Sequence, residues 1–290
     1  MYTPLKPAIK DIGEFSVARV LPNSQKRMVG PFVFFDHMGP AEFSAGQGVN
    51  VRPHPHIGLA TLTYLIEGKI LHRDSLGNCL EVTPGDVNWM VAGKGITHSE
   101  RETLEHHSQP HRLDGVQCWV ALPKEFSETA PSFTHLSRFD LPHWIYEGVS
   151  ARIVIGEAYG MKADIETFSP MFLVDVTAQV GAEINRPNPQ HECLAYLADG
   201  ALMLTNGEEQ ARIEKGETAL IDPDVQIEAL EYSRLIMLGG EAWNETPHLY
   251  WNFVAFDEKR LEQAKVDWQE GRFDQESYSL KELRTKFDGP

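Results

Sequence analysis

Two short stretches carry paired side chains of metal-binding type. "HPHIG" (54–58) holds His54 and His56 at i and i+2, and "THSE" (97–100) holds His98 and Glu100 at the same spacing. In an extended strand, side chains two apart project from one face, so each pair presents its two groups together. Neutral imidazoles with a carboxylate suit first-row transition ions: Fe, Mn, Ni, Co, Cu or Zn. Three histidines and one glutamate leave positions open on an octahedral ion, as a catalytic ion requires and a structural one does not. A lone HxH is a weak signal, and its plain reading is one or two surface histidines with no role. Two pairs, the second following the bend-forming Gly93 and Gly95, make a compact set of His54, His56, His98 and Glu100.

Elements of a particular kind must position these groups. Pro53 and Pro55 cannot donate to a strand ladder, so the first pair belongs on an edge strand or at the mouth of a barrel. Gly58 and Ala60 continue the face of the histidines, with the expectation that they leave room beside an ion. Apolar runs such as "ATLTYLIEG", "VNWMVAG" and "VQCWVALP" end in turn residues and read as strands. The same texture returns after residue 150 in "MFLVDVTA", "CLAYLADGALML" and "SRLIMLGG".

The two halves match each other. Tyr64, Leu65 and Gly68 fall on Tyr196, Leu197 and Gly200, and Gly85-Asp86 on Gly216-Glu217, at near-constant offset. This predicts a duplicated β-domain. By that offset His54 and His56 correspond to Arg186 and Asn188, and His98 to Ala229. Glu231 alone keeps the type of Glu100, so the second copy is expected to hold no metal. His191 falls on Leu59 and not on a ligand position. The tail differs: "DEKRLEQAKVDWQEGRF" (257–273) reads as a helix with Asp257 as N-cap, Leu261, Ala264 and Trp268 on one face, and Gly271 as its stop.

Composition narrows the function classes. The chain has 290 residues, 42% apolar and 23% charged, enough for two domains with real cores. A net charge of −16 disfavours direct nucleic-acid binding and anionic membranes. Cys79, Cys118 and Cys193 form no CxxC pair and suggest a reducing compartment. No signal peptide and no run of about 18 apolar residues is apparent, so the cytoplasm is the expected location.

The segments "RPHPHIGLATLTYLIEG", "PGDVNWMVAGKGITHSE", "GPFVFFDHMGP" and "ETPHLYWNFVAFDEKRLEQAKVDW" resemble the pirin family of the cupin superfamily. The resemblance implies an all-β fold of two tandem cupin (jelly-roll β-barrel) domains, expected at 1–135 and 136–290, with a short C-terminal helix. It implies iron, most simply Fe2+, in the first barrel on His54, His56, His98 and Glu100. The position at which many cupins carry a further ligand Glu is Ala60, which leaves Glu100 as the carboxylate. The implied activity is quercetin 2,3-dioxygenase-type flavonol cleavage with O2, with Glu100 as general base. The alternative is an iron- or redox-dependent regulator that binds a transcription factor or a metabolic enzyme. The partner is then either a small aromatic substrate such as a flavonol or another protein. Two barrels in one chain suggest a monomer.

Further residues receive plainer readings. Thr97, Ser99 and Asp36 are candidates to orient the imidazoles. His37 reads as a hydrogen-bonded structural histidine. Trp89 and Trp119 read as core, or as an aromatic wall for a flat substrate. His106, His107 and His111 in "EHHSQPHR" read as a solvated loop, with a mouth cover or a second metal site as alternatives.

Overall fold

The computed structural model describes residues 2–273. Strands dominate, and the α-helices among the described residues are the single turn Leu104–His107 and the C-terminal helix Glu258–Gln269. None is long and apolar enough to cross a membrane.

Each half builds one larger and one four-stranded sheet. In the first half the smaller sheet runs in the order Asn50–His56, Ile96–Arg101, Ile70–Asp74, Cys79–Val82. In the second half the order is Glu183–Ile184, Gln226–Ala229, Ala201–Asn206, Glu209–Glu214, the same path one copy later. The larger sheets correspond too. Leu59–Glu67 lies between Val87–Val91 and His111–Ala121, as Glu192–Asp199 lies between Thr218–Ile221 and Ser233–Gly240.

The residues that revealed the repeat make the matching turns. Gly68 and Gly200 sit at φ +87° and +90° in the tight links from Leu59–Glu67 to Ile70–Asp74 and from Glu192–Asp199 to Ala201–Asn206. A Cβ there would meet backbone at 2.4 Å beside Gly68 and a serine hydroxyl at 2.4 Å beside Gly200, so only glycine fits. The N–H of Gly85 donates to the Leu65 carbonyl at 2.7 Å, and that of Gly216 to Leu197 at 2.7 Å. Apolar side chains of the second copy, among them Phe172, Leu197, Leu235 and Met237, fill its interior.

The chain forms two compact units, each discontinuous in sequence. One gathers residues 2–9, Ala18–Asp36 and Phe139–Asn244. The other gathers Lys10–Val17, His37–Arg138 and residues 245–273. The first strand, Tyr2–Leu5, pairs antiparallel with Thr218–Ile221. It takes the place that Ser132–Leu136 holds beside Val87–Val91 in the other copy. The tail belongs with the first copy because its apolar groups are satisfied there. Phe253, Leu261, Ala264 and Phe273 form one buried cluster with Ile57, and Trp268 packs against it. The helix itself follows the sequence reading: the Asp257 side chain caps it by accepting from the Lys259 N–H at 2.9 Å.

Candidate metal centre

Asn50–His56 is the edge strand of its sheet, which is where Pro53 and Pro55 are tolerated. Its neighbour Ile96–Arg101 sets His98 directly opposite His54. The ladder is irregular between His98 and Glu100 on that side. On the other side it is regular, with His98 opposite Asp74 and Glu100 opposite His72. The result is a knot of imidazoles. Ring centres lie 4.3 Å apart for His54 and His98, 4.9 Å for His54 and His56, and 5.0 Å for His56 and His98.

The donor nitrogens of His54, His56 and His98 all lie within 4.8 Å of one another and could hold a metal ion. Glu100 groups equally closely with His98 and with His72, a residue the motif reading passed over. The Glu100 charge also reaches His54. His56 and His98 are almost completely buried, at 0% and 1% exposure, and Glu100 stands at 9%. Burial holds the His56 and His98 imidazoles well below their usual range, and the neighbouring His54 pushes the same way. His54 is lowered as well, first by burial. The rings are therefore neutral at pH 7, the form that offers a lone pair to a cation.

Backbone carbonyls fix which nitrogen offers it. His54 Nδ1 donates to the Arg52 carbonyl at 2.8 Å, and His56 Nδ1 to the Asn252 carbonyl at 3.2 Å. Each Nε2 is left with its lone pair. His56 Nε2 faces His98 Nε2 at 3.1 Å, while His98 Nδ1 is buried with no partner. If His98 carries its proton on Nδ1, two lone pairs confront each other. If it carries the proton on Nε2, a bare nitrogen is buried elsewhere. A cation between the Nε2 atoms removes the first conflict, so the donor set fits a metal ion on the chemistry of these residues alone.

Several supporting residues differ from expectation. Asp36 is taken up by another partner: its carboxylate accepts both bonds of the Arg19 guanidinium at 2.8 Å. The Thr97 hydroxyl is buried and bonds to nothing. The Arg52 and Asn252 carbonyls do the orienting instead. Gly58 does not leave a substrate space: a Cβ there would lie 2.0 Å from the Val254 carbonyl oxygen. The tail strand fills that side. Trp119 does flank the site, edge-on to His56 with ring centres 5.1 Å apart, whereas Trp89 is buried core. His37 bonds Asp114 at 2.8 Å.

Two second-layer groups complete the site. His72 bonds Asp74 at 3.0 Å and stacks on Phe133 at 4.6 Å. The Thr63 hydroxyl lies 3.0 Å from Glu100 Oε1 and 2.8 Å from Gln117 Oε1, two acceptors. One hydroxyl proton cannot serve two acceptors; with the Gln117 amide turned over, so that its nitrogen takes the place of Oε1, Gln117 donates to Thr63 and Thr63 donates to Glu100. The spacing of His72 and Asp74 in "HRD" is the same i, i+2 signal as HxH and HxE. The Asn252 carbonyl lies 196 residues from His56 and has no local signal. Among the described residues, groups of three metal-ligating side chains occur only in the first copy.

Comparison with known proteins identifies the family. The family model Pirin matches residues 14–120, and the model Pirin C-terminal cupin domain matches residues 173–274. A pirin-like protein of Caulobacter vibrioides is 47% identical over 271 residues, covering 91% of each chain. The crystal structure of a quercetin 2,3-dioxygenase from Acinetobacter baumannii superimposes with a TM-score of 0.82 at 33% identity, over 93% of this chain and 88% of that one. The Escherichia coli pirin YhhW, solved with nickel(II), shares the fold at 17% identity, with a TM-score of 0.64 over 83% of this chain and 100% of its own. With both halves matched and nearly half of all aligned residues identical to a pirin-like protein, the chain belongs to the pirin family.

Proposed function

We propose that this protein is a metal-dependent dioxygenase of the quercetin 2,3-dioxygenase type, with Fe2+ held by His54, His56, His98 and Glu100. The observation that carries this reading is the 33% identity to a quercetin 2,3-dioxygenase over 93% of the chain. The buried imidazole cluster with its adjacent carboxylate supports it. When bound, the ion supplies a Lewis acid that lowers the pKa of a flavonol 3-hydroxyl. The chain's own residues do the rest. The Arg52 and Asn252 carbonyls hold the His54 and His56 imidazoles in one tautomer. Thr63 anchors Glu100 through Oε1, leaving Oε2 to accept the substrate proton as general base. Trp119 offers an aromatic edge beside His56 for a flat substrate, and the burial of the cluster keeps bulk water out. Flavonol opening takes up both atoms of O2 and releases one carbon as carbon monoxide.

The test is aerobic turnover. Metal-free protein is reconstituted in turn with Fe2+, Mn2+, Ni2+, Co2+, Cu2+ and Zn2+, and quercetin absorbance and carbon monoxide release are followed. The reading expects turnover with at least Fe2+ and a loss of about 100-fold or more in Glu100→Gln, the usual share of a general base. Absence of turnover with every ion, or an unimpaired Glu100→Gln, contradicts it.

A further inference from the structure

The stretch "EHHSQPHR" is more ordered than the solvated loop expected of it. Leu104–His107 form one helical turn capped by Thr103, and the chain returns into the strand His111–Ala121. Against this turn sits Glu102, whose side chain is only 1% exposed. A carboxylate is rarely so buried unless it is paired. Its Oε1 lies 2.9 Å from His111 Nε2 and accepts the Val49 N–H at 3.0 Å, and its Oε2 lies 3.4 Å from His107 Nδ1. The rings of His106 and His111 are 4.3 Å apart. Donor atoms of Glu102, His106 and His111 all lie within 4.8 Å of one another.

Proton counting shows that this cluster is incomplete. His111 Nδ1 faces the Gln109 carbonyl at 2.8 Å while its Nε2 faces Glu102. Both neighbours are acceptors, and a neutral imidazole has one N–H. A second proton on His111 would satisfy Glu102, yet would leave His106 Nε2 buried without a partner. A divalent cation among the three groups meets every one of these needs at once. At metal–donor distances of about 2.0–2.2 Å, tetrahedral donors stand roughly 3.3–3.6 Å apart, within reach of small side-chain shifts here.

We propose that Glu102, His106 and His111 form a second metal site, separate from the His54–His56–His98–Glu100 centre. Two imidazoles and one carboxylate select Zn2+ or a similar borderline divalent ion. Three protein donors leave a fourth position to water. His107 holds the second Glu102 oxygen from outside, and the ion ties the helical turn to the strand His111–Ala121.

The test is zinc stoichiometry of the full chain. Wild type, His106→Ala and Glu102→Gln proteins are loaded with Zn2+, passed through gel filtration and assayed by elemental mass spectrometry. Both variants are expected to retain one zinc fewer per chain than wild type. Because His106 Nε2 has no protein partner, His106→Ala should keep the metal-free Tm of wild type and lose the zinc-induced rise in Tm. Glu102→Gln keeps the side-chain shape and provides a second readout. Equal zinc content in all three proteins overturns the proposal, whether the shared value is two, one or none. The difference between variant and wild type is read independently of the first centre. A wild type holding one zinc and a His106→Ala holding none would support this site while telling against that centre.

Discussion

Gly58→Ala should weaken metal binding at a centre it never touches. Gly58 lies at φ +66°, and an added Cβ would sit 2.0 Å from the Val254 carbonyl oxygen. Real Cβ contacts stop near 3.0 Å, so the tail strand Phe253–Ala255 must retreat by about 1 Å. That strand is held to Ile57 by the Val254 N–H at 3.1 Å, and it follows Asn252, whose carbonyl orients His56. Two costs arise. Placing alanine at positive φ costs about 1–2 kcal/mol. Displacing the tail costs roughly 1–3 kcal/mol more, as overpacking does. Loss of an orienting partner lowers metal affinity by about 10–100-fold. Gly207→Ala is the matched control: φ is +61°, but nothing lies within 4 Å of the new Cβ. It should pay only the backbone cost and bind metal normally. Urea unfolding of the metal-free proteins and chelator competition for the first centre measure both effects. Equal metal affinity in Gly58→Ala and Gly207→Ala would refute the link from tail to His56.

Other consequences can be checked with single variants. Thr63→Val removes the donor to Glu100 and should cost about 1–3 kcal/mol of stability, since a buried carboxylate oxygen loses its partner; flavonol turnover should fall with it, and a variant of wild-type rate and stability would argue against the Gln117–Thr63–Glu100 relay. Leu261→Ala removes a buried contact between the C-terminal helix and the cluster around Ile57, and should destabilise the chain by about 2–5 kcal/mol in urea titrations. Burial raises the Cys193 thiol to about 11, and Cys118 is buried too, while Cys79 is exposed. The thiolate fraction of Cys193 therefore rises only as pH approaches that value and stays near one in a thousand (roughly) at pH 8. A disulfide reagent at pH 8 should titrate one thiol rapidly in the native protein and three in denaturant.

Much of this was legible because strands impose a period of two. That rule placed His54 with His56 and His98 with Glu100, and the prolines marked an edge strand. The turn glycines at 68 and 200 betrayed the duplication, since only glycine fits where backbone and a hydroxyl crowd the turn. The same rule would have found His72 and Asp74, which face Glu100 and His98 across the ladder. What the sequence hid is long-range. No local pattern tells Tyr2–Leu5 to pair with a strand more than two hundred residues later, or the tail to cover Ile57. The roles of Asn252 and Gly58 follow from that covering, because a backbone carbonyl can come from any residue and a glycine gives no clue to what approaches it. Asp36 looked like an orienting carboxylate by type, but the nearer guanidinium of Arg19 claimed it.

The central claim is most directly tested by anomalous diffraction at the iron edge from crystals of the Fe2+-loaded protein. The account predicts a strong peak within about 2.0–2.3 Å of nitrogens of His54, His56 and His98 and of a Glu100 oxygen, whether or not the Glu102–His106–His111 site also takes iron. A crystal with iron in the medium and no peak among those imidazoles, or a peak held by His72 in place of His54 and His56, would contradict it.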